Sequence, residues 1–135
     1  AQMLVHLVTA LMDDKAAGKG YVYVRRCVNL LSERMSEDVR IEELAKELGI
    51  SAAYLQRLFR QVHGMTIIDY LNRMRIERAK LLLLNTDDPV VEIAMEAGFN
   101  SRQHFTRVFT SLEGISPQEY RREKRNSEEK QIFLF

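Results

Sequence analysis

The chain has 135 residues, room for one domain or for two small lobes sharing a connector, and its 46% hydrophobic content is that of a globular protein with a real core. The absence of Trp, with only six Gly and two Pro, favours helices over a turn-rich β fold, and a single cysteine, Cys27, excludes an internal disulfide and a cysteine-built zinc site. Net charge is +1, no run approaches the roughly 18 apolar residues of a membrane span and nothing reads as a signal peptide, so a soluble protein of the cytoplasm with no membrane partner is expected.

A first helix is expected from the chain start through Ala17, where Met3, Leu4, Leu7, Val8, Leu11 and Met12 share one apolar edge. That edge packs either on the body of the domain or against a second copy of the chain, which makes it a candidate homodimer contact. The chain opens on Ala rather than Met, as a piece of a longer protein would, and a missing domain is the other route to a dimer. Gly18-Lys19-Gly20 is expected to break this helix. A second helix runs from about Tyr21 to Met35, with Val24, Val28 and Leu31 spaced for burial and Cys27 as a small core residue. Ile41 to Leu48 reads as a short helix ended by Gly49 in the left-handed conformation, with Arg40 a poor N-cap. Ser51 is a good N-cap for the next helix, which reaches about His63 and stops at Gly64, burying Leu55, Leu58, Phe59 and Val62.

Thr66 caps a longer helix, Ile67 to about Leu84, holding Ile68, Leu71, Met74, Arg75, Ala79, Leu82 and Leu83; at 1.5 Å per residue it spans roughly 27 Å. Asp88 before Pro89 is a start signal, N-cap then first helical position, for a helix with Val90, Ile93, Ala94 and Ala97 inward that ends at Gly98. The helix after it buries Phe105, Val108, Phe109 and Leu112 and stops at Gly114. Ser116-Pro117-Gln118-Glu119 is a capping box opening a last helix through Tyr120. Beyond Lys124 the chain is charged and expected to fray, and Ile132-Phe133-Leu134-Phe135 is an apolar end with no legible role.

The chain repeats itself. Ile41, Leu44, Ala45, Gly49 and Ile50 recur 49 positions later as Val90, Ile93, Ala94, Gly98 and Phe99. After one extra residue in the second turn, Leu55, Arg57, Phe59, Gly64 and Tyr70 recur 50 positions later as Phe105, Arg107, Phe109, Gly114 and Tyr120. Two copies are too few for a solenoid, so a pair of lobes is expected. Each copy is a short helix, a glycine turn and a second helix, the helix-turn-helix arrangement, whose second helix enters the DNA major groove and reads base edges near its N-terminus. Positive charge follows these helices. Residues 51–86 carry six bases against two acids and residues 101–126 are again net positive at +3, whereas residues 87–100 carry four acids and no base. Gln56, Arg57, Arg102, Gln103 and Arg107 have the bidentate chemistry that suits adenine (Gln) and guanine (Arg), with Arg60 on the same outer face and with Ala52 and Ala53 small enough to touch a thymine methyl.

The motifs IEELAKELGIS-x-x-YLQRLFRQVHG, YLNRMRIERAKLLL and DPVVEIAMEAGFNSRQHFTRVFTSLEGISPQEYR carry a resemblance that covers about Tyr23 to Arg122. Over that span the chain resembles the DNA-binding domain of the AraC/XylS family of bacterial transcription regulators. The resemblance implies an all-α fold of two homeodomain-like helix-turn-helix lobes joined by a long middle helix. It implies double-stranded DNA as partner, with RNA polymerase beside it, and reading helices at about 51–63 and 101–112 in successive major grooves. By position it makes Ala53, Gln56 and Arg57 the base-facing group of the first lobe and Arg102, Gln103, Thr106 and Arg107 that of the second. Ala53 stands where family members place a large side chain, and Arg40 where a small polar cap is usual. The expected organisation is an N-terminal helix and linker over 1–20, the DNA-binding domain over 21–124 (lobes about 21–65 and 87–124, connector about 66–84) and a tail over 125–135.

Plainer readings stand beside these. Arg57 and Arg107 would be structural if each bridged an acid of its own lobe, and Gln56 and Gln103 would then be ordinary solvated residues. Arg75 and Arg78 are expected to form internal ion pairs, Tyr70 and Tyr120 to close their lobes with bonded hydroxyls, and His104 to be a surface or packing residue. His63, near a helix end, gains from the helix dipole. His6, His63 and His104 have no ligand spacing, so no metal or other cofactor is expected. No phosphate loop, nucleophile elbow or Cys–His pairing points to an enzyme. The competing function is a tandem helix-turn-helix that binds another protein, such as RNA polymerase, rather than DNA.

Overall fold

The computed structural model describes the backbone of residues 17–133 and the side chains of residues 18–128. Among the described residues there are seven helices and no strand: α1 (Ala17–Arg34), α2 (Ile41–Leu48), α3 (Ala52–His63), α4 (Ile67–Asn85), α5 (Val90–Glu96), α6 (Arg102–Glu113) and α7 (Pro117–Phe133). The helix expected over Met3 to Met12 and the Ile132–Phe135 end lie outside the residues whose side chains are described. The chain divides into two compact units between Leu71 and Asn72, inside α4.

In the first unit α1 packs on both α2 and α3. Val24, Cys27 and Leu31 are fully buried and meet Leu44, Ala45, Leu48, Leu55, Leu58, Phe59 and Val62, while Val28 is only half-buried, so Cys27 takes the inward place expected of Val28. Burial pushes the Cys27 thiol up to about 12, which makes it an inert core group. The expected break at Gly18-Lys19-Gly20 is not there: α1 starts at Ala17 and runs through it. Gly20 is buried, and a Cβ on it would lie 2.7 Å from Cδ2 of Leu58. Packing against α3 thus overrides glycine's weak helix propensity. Arg34 at the end of α1 makes a fork to Glu47 of α2 at 2.5 and 2.7 Å, and this bond holds the Glu47 carboxyl below its usual range.

The caps follow the expected chemistry. Ser51 Oγ accepts from Tyr54 N and Ser101 Oγ from His104 N, both at 3.1 Å, and Thr66 Oγ1 accepts from Asp69 N. Arg40 makes no side-chain cap. Pro89, with ψ at 148°, sits one position earlier than expected: it is the cap residue itself, Val90 is the first helical residue, and Asp88 does not cap. The helices ending before Gly49, Gly64 and Gly114 all close on a left-handed glycine.

α4 serves two cores with two different sides. Ile67, Tyr70 and Leu71 are buried in the first unit, then Ile76, Ala79 and Leu83 in the second. The step of five residues from Leu71 to Ile76 turns the buried stripe, because each residue advances about 100° around a helix. A single stripe assumed over the whole length therefore misplaces Ile68, which is 43% exposed. Met74, Arg75 and Leu82 are half-buried.

The second unit repeats the first. Ile93, Ala94, Ala97, Phe99, Phe105 and Phe109 form its core with the three α4 residues, and Val108 and Leu112 pack at its edge. Tyr120 meets Phe109 edge-on at 5.5 Å, as Tyr70 meets Phe59 at 5.3 Å, so both tyrosines close their lobes through their rings. His63 is buried against the Phe59 and Tyr70 rings, both at 4.7 Å between centroids, and His104 stacks edge-on to Phe99. Arg75 places its guanidinium 5.9 Å from the centre of the Phe99 ring, and exposed Arg78 has no acid partner among the described residues. Lys80 of α4 bridges two acids, Glu77 at 3.0 Å and Glu113 of α6 at 3.1 Å.

The end of α4 has no glycine, and here the last helix intervenes. Arg121 donates through Nε to the Leu83 carbonyl at 3.0 Å and through Nη2 to those of Asp88 and Thr86 at 2.8 and 3.3 Å. Arg125 donates to the Leu83 and Thr86 carbonyls and to the Asp87 carboxylate, which it holds below the usual range. The expected fraying after Lys124 is thereby overturned: the orphan carbonyls of one helix end anchor Arg125 of another, and α7 continues to Phe133. Arg121→Ala is expected to lower the unfolding free energy by about 2 kcal/mol, the cost of stripping a charged donor from backbone acceptors. Urea denaturation measures it, with exposed Arg122→Ala expected to stay within about 0.5 kcal/mol. Equal losses in the two variants would show that the carbonyls are satisfied without Arg121.

Candidate nucleic-acid interface

A helix with one apolar stripe has to leave its other face outside, and α3 and α6 do so in the same register. In α3, Leu55, Leu58, Phe59 and Val62 face the core, so Ala53, Gln56, Arg57 and Arg60 are all exposed. In α6, burial of Phe105 and Phe109 leaves Arg102, Gln103 and Arg107 exposed and Thr106 half-exposed. The serine caps fix the first turns of both helices, where the expected reading side chains begin.

The structure groups all eight expected residues, four to a unit. Ala53, Gln56, Arg57 and Arg60 line one cleft of the first unit, together with Ile41, Thr66, Ile67 and Ile68. Arg102, Gln103, Thr106 and Arg107 line a shallow depression of the second, extended by Thr110 and Ser111. Thr110 and Ser111 were not expected, although Thr110 is the 50-residue counterpart of Arg60 and was within reach of the repeat. Thr66, Ile67 and Ile68 belong to the next helix, and nothing in the α3 pattern signals them.

The electrostatics favour an anionic, hydrogen-bonding ligand. Arg57 lies over the Tyr54 ring at 5.2 Å, one turn back on its own helix, which holds the guanidinium without neutralising it. No ion pair engages Arg57, Arg60, Arg102 or Arg107 among the described residues, so the structural bridges considered for Arg57 and Arg107 are not formed. By contrast, the acids of α5 gather elsewhere: Asp88, Glu92 and Glu96 surround exposed Val91 and Met95 in a separate depression. Among the described residues no cluster of His, Cys, Asp and Glu suits a metal ion, and no helix is long and apolar enough to cross a membrane.

A family model described as a helix-turn-helix domain matches residues 44–123. The chain is similar to the melibiose operon regulatory protein of Escherichia coli K12, 28% identical over 120 residues that make up 89% of this chain, and it spans 40% of that protein's length. It is similar to the regulatory protein SoxS of the same organism at 37% identity over 91 residues, 67% of this chain and 85% of SoxS. Among solved structures, the DNA-binding domain of AdpA, a global transcriptional factor solved in complex with a target DNA, superposes with a TM-score of 0.73 at 29% identity, covering 77% of this chain and 94% of that one. With a short helix, a tight turn and an exposed second helix in each of its two units, and with the motif run from Asp88 to Arg121 intact, the chain belongs to the AraC/XylS family of helix-turn-helix regulators.

Proposed function

We propose that the chain binds double-stranded DNA and reads its sequence, α3 and α6 each entering a major groove, the two grooves successive along one face of the duplex. One observation carries this reading: two exposed helix faces, 50 residues apart in register, each hold a glutamine and arginines that no ion pair engages among the described residues. Bidentate arginine suits guanine O6 and N7, bidentate glutamine suits adenine N6 and N7, and both must be presented free of competing acids. Ala53, Gln56, Arg57 and Arg60 are the contacts of the first unit, and Arg102, Gln103, Thr106 and Arg107 those of the second. The solved complex of AdpA with its target DNA supports the reading. The same role makes the chain a cytoplasmic transcription regulator, with RNA polymerase and a second copy of the chain as further partners.

Affinity for a site selected from a random DNA pool is expected to fall with salt at a slope near −5 in log–log terms, the signature of about six phosphate contacts. A flat dependence, with no preference for the selected site over random duplex, would sink the DNA reading in favour of the protein-binding one. Arg107→Ala is expected to cost about 1–3 kcal/mol on that site and to relax preference at one or two base pairs. Its unfolding free energy should stay within about 0.5 kcal/mol of the parent. A drop in stability with base preference intact would assign Arg107 to the fold instead.

A further inference from the structure

The cleft of the first unit contains a residue outside the reading helix. Ile68, on the first turn of α4, is 43% exposed and lines the same cleft as Ala53, Gln56, Arg57 and Arg60. Its place is fixed, because Thr66 Oγ1 caps the turn through Asp69 N and Ile67 beside it is buried. Ala53 offers the cleft a single exposed methyl group, so the cleft holds two apolar side chains open to solvent, Ala53 and Ile68, beside Gln56, Arg57 and Arg60. The repeat shows that this chemistry is particular to one unit. Fifty residues on, Gln118 stands at the place of Ile68 and Gln103 at that of Ala53, and the depression on α6 is lined by Arg, Gln, Thr and Ser with no aliphatic residue.

We propose that Ile68 is a specificity-determining residue of the first reading unit, receiving the 5-methyl group of a thymine next to the base engaged by Gln56. The proposal rests on the DNA reading above. An occupant of this cleft has to satisfy two guanidiniums and an amide and also bring a small apolar group to Ile68 and Ala53. The major-groove edge of an A·T pair meets those demands: adenine presents N7 and N6–H₂ to an amide, thymine presents its methyl beside them, and the phosphates lie within reach of arginine. A G·C pair has no methyl there. The second unit has glutamines at both counterpart positions and so no aliphatic side chain at the place of Ile68.

Replacing thymine by deoxyuridine removes the methyl and leaves the hydrogen-bonding edge intact. Each thymine of the selected site is replaced in turn and affinity is measured for the parent, Ile68→Gln and Ile68→Val, with the half-site of the first unit assigned by the base preference that Gln56→Ala loses. In that half-site one thymine is expected at which loss of the methyl weakens the parent about fourfold, the worth of one buried methyl-sized group. Ile68→Val keeps that sensitivity and Ile68→Gln loses it while still preferring the selected site to random duplex. No methyl-sensitive thymine in the half-site, or equal sensitivity in Ile68→Gln, overturns the proposal and leaves the DNA reading standing. Absence of any preference for the selected site in the parent overturns the DNA reading itself.

Discussion

The outer faces of α3 and α6 depend on one backbone hydrogen bond made twice. Ile50 N donates to the Ala45 carbonyl at 3.1 Å, and Phe99 N donates to the Ala94 carbonyl at 3.0 Å. Each bond folds the chain back across the end of a short helix and fixes where the next helix begins. Neither α2 nor α5 is long enough to be stable alone, since isolated helices below about 12 residues are marginal in water. They persist because the turn lets Leu44, Ala45 and Leu48, or Ile93, Ala94 and Ala97, share a core with the helix that follows. Once that stripe is inward, the outer face has no freedom: Gln56 and Arg57, or Gln103 and Arg107, must point away from the core.

The join between α4 and α5 solves the same problem by other means. A helix end needs partners for its last carbonyls, and after α2, α3 and α6 a left-handed glycine turns the backbone to supply them. At Thr86 to Asp88 there is no glycine, and the donors arrive from α7 as two guanidiniums. Burial and the neighbouring Arg125 charge both lower the pKa of Arg121, so the two arginines are held together against mutual repulsion by the acceptors they share. That arrangement makes the last helix a part of the second unit rather than an appendage, because the entry into α5, and through it the placement of α6, is tied to Arg121 and Arg125.

What could be read in the residues and what could not divides along sequence distance. The apolar stripes of α3 and α5, the caps at Ser51, Thr66 and Ser101 and the glycine stops at Gly49, Gly64 and Gly114 each rest on residues within a few turns of each other, and they stand in the structure. The exposure of the eight candidate residues is legible for the same reason: they lie on what remains of α3 and α6 once the stripe is assigned. Errors came where a distant partner decided. Gly18 and Gly20 are poor helix formers on their own merits, yet Leu58, nearly forty residues on, accepts the bare backbone of Gly20. Arg125 looked like part of a charged tail because its acceptors lie 38 to 42 residues back. Ile68 was assigned inward because one helix was given one stripe, whereas α4 packs in two cores.

That last error bears on how two copies of one design come to do different work. In a repeat whose buried positions are held fixed, divergence is confined to the outer faces, and the two faces here have diverged toward different chemistry. The second sets Arg102, Gln103, Thr106 and Arg107 side by side with Thr110 and Ser111, a surface made of donors and acceptors. The first sets Gln56, Arg57 and Arg60 beside Ala53 and an uncovered Ile68. Hydrogen-bonding groups discriminate strongly between base pairs, because a mismatch leaves a desolvated polar group unpaired, whereas an apolar contact discriminates by no more than the worth of the group it buries. On the proposed DNA reading, α6 would therefore discriminate through hydrogen bonds, and α3 would add to its own glutamine and arginines the milder preference of an apolar contact at Ile68.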